Sequence, residues 1–417
     1  MTDSLKTTPL HEWHMSAGAK MADFGGYDMP LWYETGVKNE HLAVLNSAGI
    51  FDTSHMACIR VQGSHAFALI NYCFSRDISS LAVGRCVYGA FLDKKGHCID
   101  DAIVYKFSDT HFMICVNAGM GAAIASHLNG QKKEGADATI LDLSGKLAKM
   151  DIQGKNAARI LGLVIKNPDQ VFQPMPYFSF KGDFEGTQDQ SDGVFLLDGT
   201  PVLLSRSGYT GEFGFEIFLK ADAIVKLWTD ILEKGNDLGI EACGLGARDS
   251  LRAGSCLPLS HQDIGNFPFV NHPWDFALPY AQDKKGFTKD FLGAEALISS
   301  KDAEYTYAFV GDSLRKVNAG ENTQVLDGNQ NTIGRVLTCA TDMGISWLEN
   351  KIVSINTPGL PSDLKIKGIS CGFVMVSIPL SPGTQLTLKE GKRSIKVTIV
   401  TDIRPDRTAR LKLDNFI

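Results

Sequence analysis

The sequence lacks several features that would each define a class of protein. No apolar run approaches the roughly 20 residues that cross a bilayer. The opening residues, "MTDSLKTTPLHEWH", show no basic stretch leading into an apolar core. Neither a membrane span nor a secretory leader is therefore expected. Basic charge is not in excess: 41 Lys and Arg stand against 47 Asp and Glu, a formal net charge of −6. That balance argues against a nucleic-acid binder. Paired CxxC spacing is missing too. The nine cysteines are scattered, several in apolar runs such as "FMICVNA" around Cys115. They read as reduced core thiols of a cytoplasmic protein, not as a disulfide frame or a zinc site. His55, His261 and His272 have no metal-ligand spacing, and no G-x-S-x-G elbow or P-loop occurs. "CVNAGMGAAIASHL" sets Gly119-Met120-Gly121 between a predicted strand and helix, but Ile124 stands where a dinucleotide fingerprint needs glycine or alanine.

What is present is a globular chain of 417 residues, 44% hydrophobic and 21% charged, long enough for two or three domains. One internal repeat stands out. "VQGSHAFALI" (Val61 to Ile70) and "IQGKNAARIL" (Ile152 to Leu161) share a pattern of strand end, Gln-Gly turn and helix start. A duplicated α+β region with pseudo-symmetry is expected from it. "TPVLLSRSG" and "YTGEFGFEIFL" read as strands, with Asp198-Gly199 as a turn before the first. Ile224, Leu227, Trp228, Ile231 and Leu232 then fall at helical spacing, with Asp222 as the expected N-cap and Gly235 at the exit. After about residue 300 the texture becomes short strands and turns. "VLDGNQNTIGRVL" and "QLTLKEGKRSIKVTIV" are hairpins tipped by Asp327-Gly328 and Glu390-Gly391, and residues 340–365 read as a long connection. The expected organisation is an α+β region over residues 1–300 and an all-β, barrel-like domain over residues 301–417.

Three places carry possible chemistry. "GHCIDDAIVYKF" sets Asp100 and Asp101 at the start of a β-branched strand. Either both are solvated in a turn, or alternation separates them. Asp101, Ile103 and Tyr105 would then share one face, and Asp100, Ala102 and Val104 the other. Glu216 lies within "FGFEIF", where a carboxylate must find donors: a backbone turn, an arginine, or a ligand with two adjacent N–H groups. Arg248 in "CGLGARDSLR" can fork onto a carboxylate or pair with Asp249 or Glu241. Arg393, Lys396, Arg404, Arg407 and Arg410 near the end read as a solvated face, or one meeting an acidic partner.

Together, "TPLHEWHMSAGAKMADFGGYDMPLWY", "AGIFDTSHM", "GHCIDDAIVYKF", "VNAG", "IQGKNA", "SGYTGEFGFEIF" and "CGLGARDSLR" resemble the folate-dependent aminomethyltransferase family, the T-protein of the glycine cleavage system. The resemblance runs through roughly residues 8–300 and is weak in the tail. It implies a duplicated folate-binding α+β region followed by a C-terminal β-barrel, and tetrahydrofolate as co-substrate. By position it implies that Asp101 is the catalytic carboxylate beside the folate nitrogens, and that Glu216 holds the pterin. Arg248, Tyr88, Tyr105, Asn117, Met56 and Tyr209 are implied as further cofactor-binding residues.

The sequence also departs from the family pattern. After Arg252 the usual Leu-Glu-Ala-Gly and Tyr-Gly give way to "AGSCLPLSHQD", and the Glu-Ala-Gly stretch is replaced within "NFPFVNHPWDFALP". These changes fall on the expected donor side. Three functions are compatible: an aminomethyltransferase taking its group from a lipoyl carrier (H-protein), a tetrahydrofolate-dependent demethylase of a small methylated sulfonium, amine or methoxy compound, and a non-catalytic folate-binding homologue. The last ranks lowest, because Asp101 is kept and that group's Lys-Gly-Cys-Tyr-type motif is absent.

Overall fold

In a computed structural model, which describes residues 4–186, 193–300 and 303–417, the repeat organises the first two-thirds of the chain. Each copy is a strand, a glycine turn and a helix: Ala57–Gln62 into Ala66–Cys73, and Leu147–Gln153 into Ala157–Gly162. The turns admit glycine alone. Gly63 and Gly154 have φ of +133° and +121°, and a Cβ there would lie 2.3 Å from the Asp137 carbonyl oxygen and 2.4 Å from that of Ser47.

Each copy sits in its own sheet. The first belongs to a five-stranded antiparallel sheet in the order Arg85–Leu92, Cys98–Ser108, His111–Val116, Ala57–Gln62, Thr139–Asp142. The second belongs to a seven-stranded sheet in which Gly214–Lys220, Leu147–Gln153 and Ala48–Asp52 are consecutive neighbours. Its edge strand Ile240–Ala242 pairs in parallel with Ala48–Asp52. One apolar cluster joins the sheets: Cys58, Cys86, Tyr105 and Met113 from one pack against Phe180, Leu203 and Phe218 from the other. The faces turned away are covered by helices, so strands of both sheets are buried on two sides.

Helix Ile224–Gly235 buries Ile224, Leu227, Trp228 and Ile231, as its spacing requires. Its start differs from expectation. A 3₁₀ turn, Ala221–Ala223, precedes it, so Asp222 lies one residue before the N-cap position, Ala223, and no side chain caps the helix. Gly235 stays inside the helix, and the left-handed exit falls at Gly239, φ +71°.

The C-terminal strands, from Tyr305 to Val400, close a six-stranded antiparallel barrel. Both expected hairpins are present, with Gly391 at φ +56° in the second. Residues 340–365 are more ordered than a connection: Thr332–Asp342 runs into them, and Ile345–Leu348 pairs with Lys351–Ser354. Past Val400 the chain leaves the barrel and returns to the second sheet, where Phe416 stacks on Phe213 at 4.0 Å. Arg393, Lys396 and Arg410 are exposed, as a solvated face requires, but that path corrects the reading for Arg404. Arg404 is fully buried, its guanidinium set between Asp342 (2.5 Å) and Glu212 (3.2 Å). Arg407 pairs with Asp402 at 2.5 Å. Among the described residues, no helix is long and apolar enough to cross a membrane.

Candidate active site

A cavity of about 360 Å³ opens where the seam between the sheets meets the helix Leu245–Gly254. That volume is within the range of small-molecule pockets, roughly 300–1,000 Å³. Asp101, Tyr88 and Asn117 line it from the first sheet, Glu216 from the second, and Arg248 from the helix, with Met56 and Tyr209 on loops between. Tyr105 is displaced from its expected place in the wall. It is fully buried beneath the cavity, and its hydroxyl reaches Glu216 at 3.4 Å.

The aspartates occur within the strand Cys98–Ser108, not in a solvated turn. Alternation separates them as expected. Asp100 is fully buried on one face while Asp101 borders the cavity on the other. They nonetheless share one partner. The Asn117 side-chain amide donates to Asp100 Oδ1 (2.7 Å) and to Asp101 Oδ1 (2.6 Å), and its backbone N–H donates to Asp100 Oδ2 (2.9 Å). The Tyr88 hydroxyl donates to Asp101 Oδ2 at 2.8 Å. Burial, and then the neighbouring Asp101 carboxylate, push the Asp100 pKa up to about 7. Burial raises Asp101 as well, against the hydrogen bonds of Tyr88, Asn117 and Ser260. Burial and proximity thus oppose ionisation of the pair, and both carboxylates are held by fixed donors.

At the opposite end, buried charges interlock. Lys149 Nζ lies 2.6 Å from both Asp151 Oδ1 and Glu216 Oε1, and Arg248 Nη1 lies 2.7 Å from Asp151 Oδ2. The Ser207 hydroxyl donates to Glu216 Oε2, and the Arg248 guanidinium lies over the Tyr209 ring at 4.7 Å. Burial opposes ionisation of Lys149, but Asp151 and Glu216 outweigh it and hold the amine above its usual value. Burial likewise opposes the Asp151 charge, which Lys149 and Arg248 keep below the ordinary carboxylate range. Arg248 therefore pairs with Asp151, not with Asp249 or Glu241, and the protein partner of Glu216 is a lysine, neither the arginine nor the turn among its alternatives. Two cations against two carboxylates leave this floor neutral, with Glu216 oriented at the cavity.

Sequence reasoning missed Lys149, Asp151 and Ser207. A signal for the first two existed in "LAKMDIQ", where Lys149 and Asp151 are i, i+2 on a strand otherwise apolar as far as Gln153. The segment that departs from the family pattern also reaches the site. Pro258, Leu259 and Gln262 line the cavity. Ser260 Oγ accepts from the Asp101 backbone N–H at 3.3 Å, and His261 Nε2 lies 3.5 Å from Asp100 Oδ1. No cluster suited to a metal ion occurs among the described residues.

Two linked α/β sheets, a closed barrel and a cavity of buried carboxylates define a fold shared with a solved structure, glycine cleavage system aminomethyltransferase T from Bartonella henselae. The match has a TM-score of 0.77 at 25% identity and covers 98% of this chain and 99% of that one. Residues 10–269 match the family model described as the GCVT N-terminal domain. Curated aminomethyltransferases are similar over 342 residues: one from Bacillus cereus (strain AH820) at 33% identity and one from Bacillus cereus (strain 03BB102) at 37%. Each match covers 78% of this chain and 88% of the relative. The chain belongs to the aminomethyltransferase family of glycine cleavage T-proteins, transferases of one-carbon metabolism.

Proposed function

We propose that the protein transfers a one-carbon unit from an aminomethyl donor to tetrahydrofolate with release of ammonia. The observation that carries this reading is Asp101, a cavity-facing carboxylate held by Tyr88 and Asn117 at one end of a pocket whose other end presents Glu216. The donor chemistry of the site fits a folate. A carboxylate fixed by Lys149 and Ser207 still has lone pairs for two adjacent N–H groups, as a pterin offers. Glu216 would hold that ring, with Arg248, Tyr209 and Met56 around it and Asn117 and Tyr88 nearer Asp101. When bound, tetrahydrofolate supplies the nitrogen that accepts the one-carbon unit.

The side chains account for the remaining requirements. Asp101 places negative charge where positive charge develops on the carbon leaving the donor, and Oδ2 can take up a proton at the same point. Tyr88 and Asn117 fix that carboxylate before the reaction, so little reorganisation is needed. The neutral floor under Glu216 binds and orients without adding a competing charge. The natural donor in this reading is an aminomethyl group on a lipoyl carrier protein. Its test is ammonia release from such a carrier, dependent on tetrahydrofolate and lost in Asp101→Asn; release that ignores either change would refute the proposal.

One observation favours a second reading, a tetrahydrofolate-dependent demethylase of a small methylated compound. Pro258, Leu259 and Gln262, in the segment that departs from the family pattern, form the wall approaching Asp101. A wall changed there alters the donor's side of the cavity.

A further inference from the structure

Gln262 stands where the cavity meets the barrel. It lines both the cavity and an open groove of about 390 Å³ on the barrel side, shared with His261, Asn266 and Arg335. Its backbone N–H donates to the Leu259 carbonyl at 3.0 Å, inside the turn whose Ser260 bonds the Asp101 backbone. The residue is exposed, yet one end of its amide is held. Nε2 donates to the Leu337 carbonyl at 2.6 Å and to the Thr338 hydroxyl oxygen at 2.8 Å.

The partners force the direction of that amide. The Leu337 carbonyl can only accept. The buried Thr338 hydroxyl gives its one proton to Asp263 Oδ1 at 2.6 Å and accepts from Arg252 Nη2 at 3.0 Å. Asp263 meets donors alone among the described residues: the Arg252 guanidinium, the Leu259 N–H and Thr338. A flipped amide would set its oxygen 2.6 Å from the Leu337 oxygen, acceptor against acceptor. Oε1 is therefore the end turned from the barrel strand. It has no partner among the described residues, on a side chain that a ligand can reach.

We infer that Gln262 is a further donor-binding residue, whose Oε1 accepts a hydrogen bond from the nitrogen of the aminomethyl group while Asp101 faces its carbon. The inference rests on the aminomethyl reading and deepens it, because the wall then recognises the donor's N–H groups. A protonated aminomethyl nitrogen has three of them to place. A sulfonium or methoxy compound has none and would leave Oε1 without a use. A neutral acceptor also suits the place: it orients the nitrogen without a third carboxylate beside Asp100 and Asp101, whose ionisation burial already opposes. The groove beyond Gln262 gives a donor carried on another protein a way to the wall.

Gln262→Lys and Gln262→Met separate the acceptor from the contact with the barrel. Lysine keeps a donor for Leu337 and Thr338 but offers no acceptor; methionine keeps the length and offers neither. For each, tetrahydrofolate affinity and the ligand-free melting midpoint are measured, with kcat and KM for ammonia release from an aminomethylated lipoyl carrier. Both variants should bind tetrahydrofolate within a few-fold of the wild type. Both should raise KM about tenfold or more, the loss of a hydrogen bond to a charged group, with a smaller change in kcat. A wild-type KM in Gln262→Lys overturns the inference, since the barrel contact is then what matters. A wild-type KM in Gln262→Met overturns it too, since no acceptor is then needed. Lower melting midpoints in both, with parallel losses of tetrahydrofolate affinity, also overturn it, since that is a structural role. Absence of ammonia release by the wild type overturns the aminomethyl reading and this inference with it.

Discussion

Asp100 and Asp101 show how far one residue's shift along a strand changes a carboxylate's task. The same backbone pleat buries one and turns the other to the cavity. Their separation onto two faces was legible from alternation alone. Their coupling was not, because Asn117, just past the end of the neighbouring strand His111–Val116, grips both. Asp101→Asn should retain tetrahydrofolate affinity within a few-fold and lower turnover by about 10² or more, as for other fixed electrostatic groups; titration and steady-state kinetics check the two halves separately. Asp100→Asn should cost less, about tenfold, because an amide still accepts one bond from Asn117. It should leave the acid limb of the pH–rate profile in place, since Asp101 ionises while Asp100 is still protonated, and should remove the inflection that Asp100 places near pH 7. An inflection near pH 7 that survives Asp100→Asn would contradict the coupling.

Among elements, the repeat was the most informative feature of the sequence. Its Gln-Gly turns fix where two strands end and two helices begin, and the residue pattern expresses that requirement directly. Gly154→Ala should destabilise by about 2 kcal/mol or more, since a Cβ there would lie 2.4 Å from a backbone oxygen at φ +121°; urea unfolding measures it. The helix start at Ile224 was misread for a local reason. Asp222 has the right chemistry for a cap, but the chain tightens into a 3₁₀ turn first. Asp222→Ala should therefore change stability by less than about 0.5 kcal/mol, where loss of a true N-cap costs about 1. The charge network beneath the cavity was hidden because Lys149, Asp151, Glu216 and Arg248 meet from two strands and a helix. Lys149→Met should cost about 3–5 kcal/mol in the same unfolding measurement, by leaving two buried carboxylates with one cation.

At the scale of the molecule, the α/β region and the barrel were both readable, because period-2 strands and turn residues leave local traces. The return of the tail onto the second sheet was not, since Arg404 in a basic stretch looks like any solvated cation until Asp342 and Glu212 close around it. Buried neutral histidines weaken the fold in acid. His55 and His272 are both pushed down to about 4 by burial, from 6.5. The unfolded chain therefore binds more protons than the folded one between those values, and stability falls as pH drops from about 6.5 towards 4. Asp100 acts in the opposite sense: its stabilising share is complete below 3.8 and is lost as pH rises through about 7. Glu40, Asp101 and Asp263, also raised by burial, act with Asp100, and His111 and His127, also lowered by burial, act with the other two histidines. One histidine's share is isolated by His272→Phe, whose melting midpoint should lose less than the wild type's between about pH 6.5 and pH 4; an equal loss would contradict it.

The donor remains the point at which the altered wall of residues 258–262 bears on function. The most direct measurement is the identity of the folate product after the protein and tetrahydrofolate are offered an aminomethylated lipoyl carrier in one reaction and a panel of methylated sulfonium, amine and methoxy compounds in another. The account predicts methylene-tetrahydrofolate and ammonia from the carrier and no methyl-tetrahydrofolate from the panel. Methyl-tetrahydrofolate from the panel, with the carrier left intact, would contradict it.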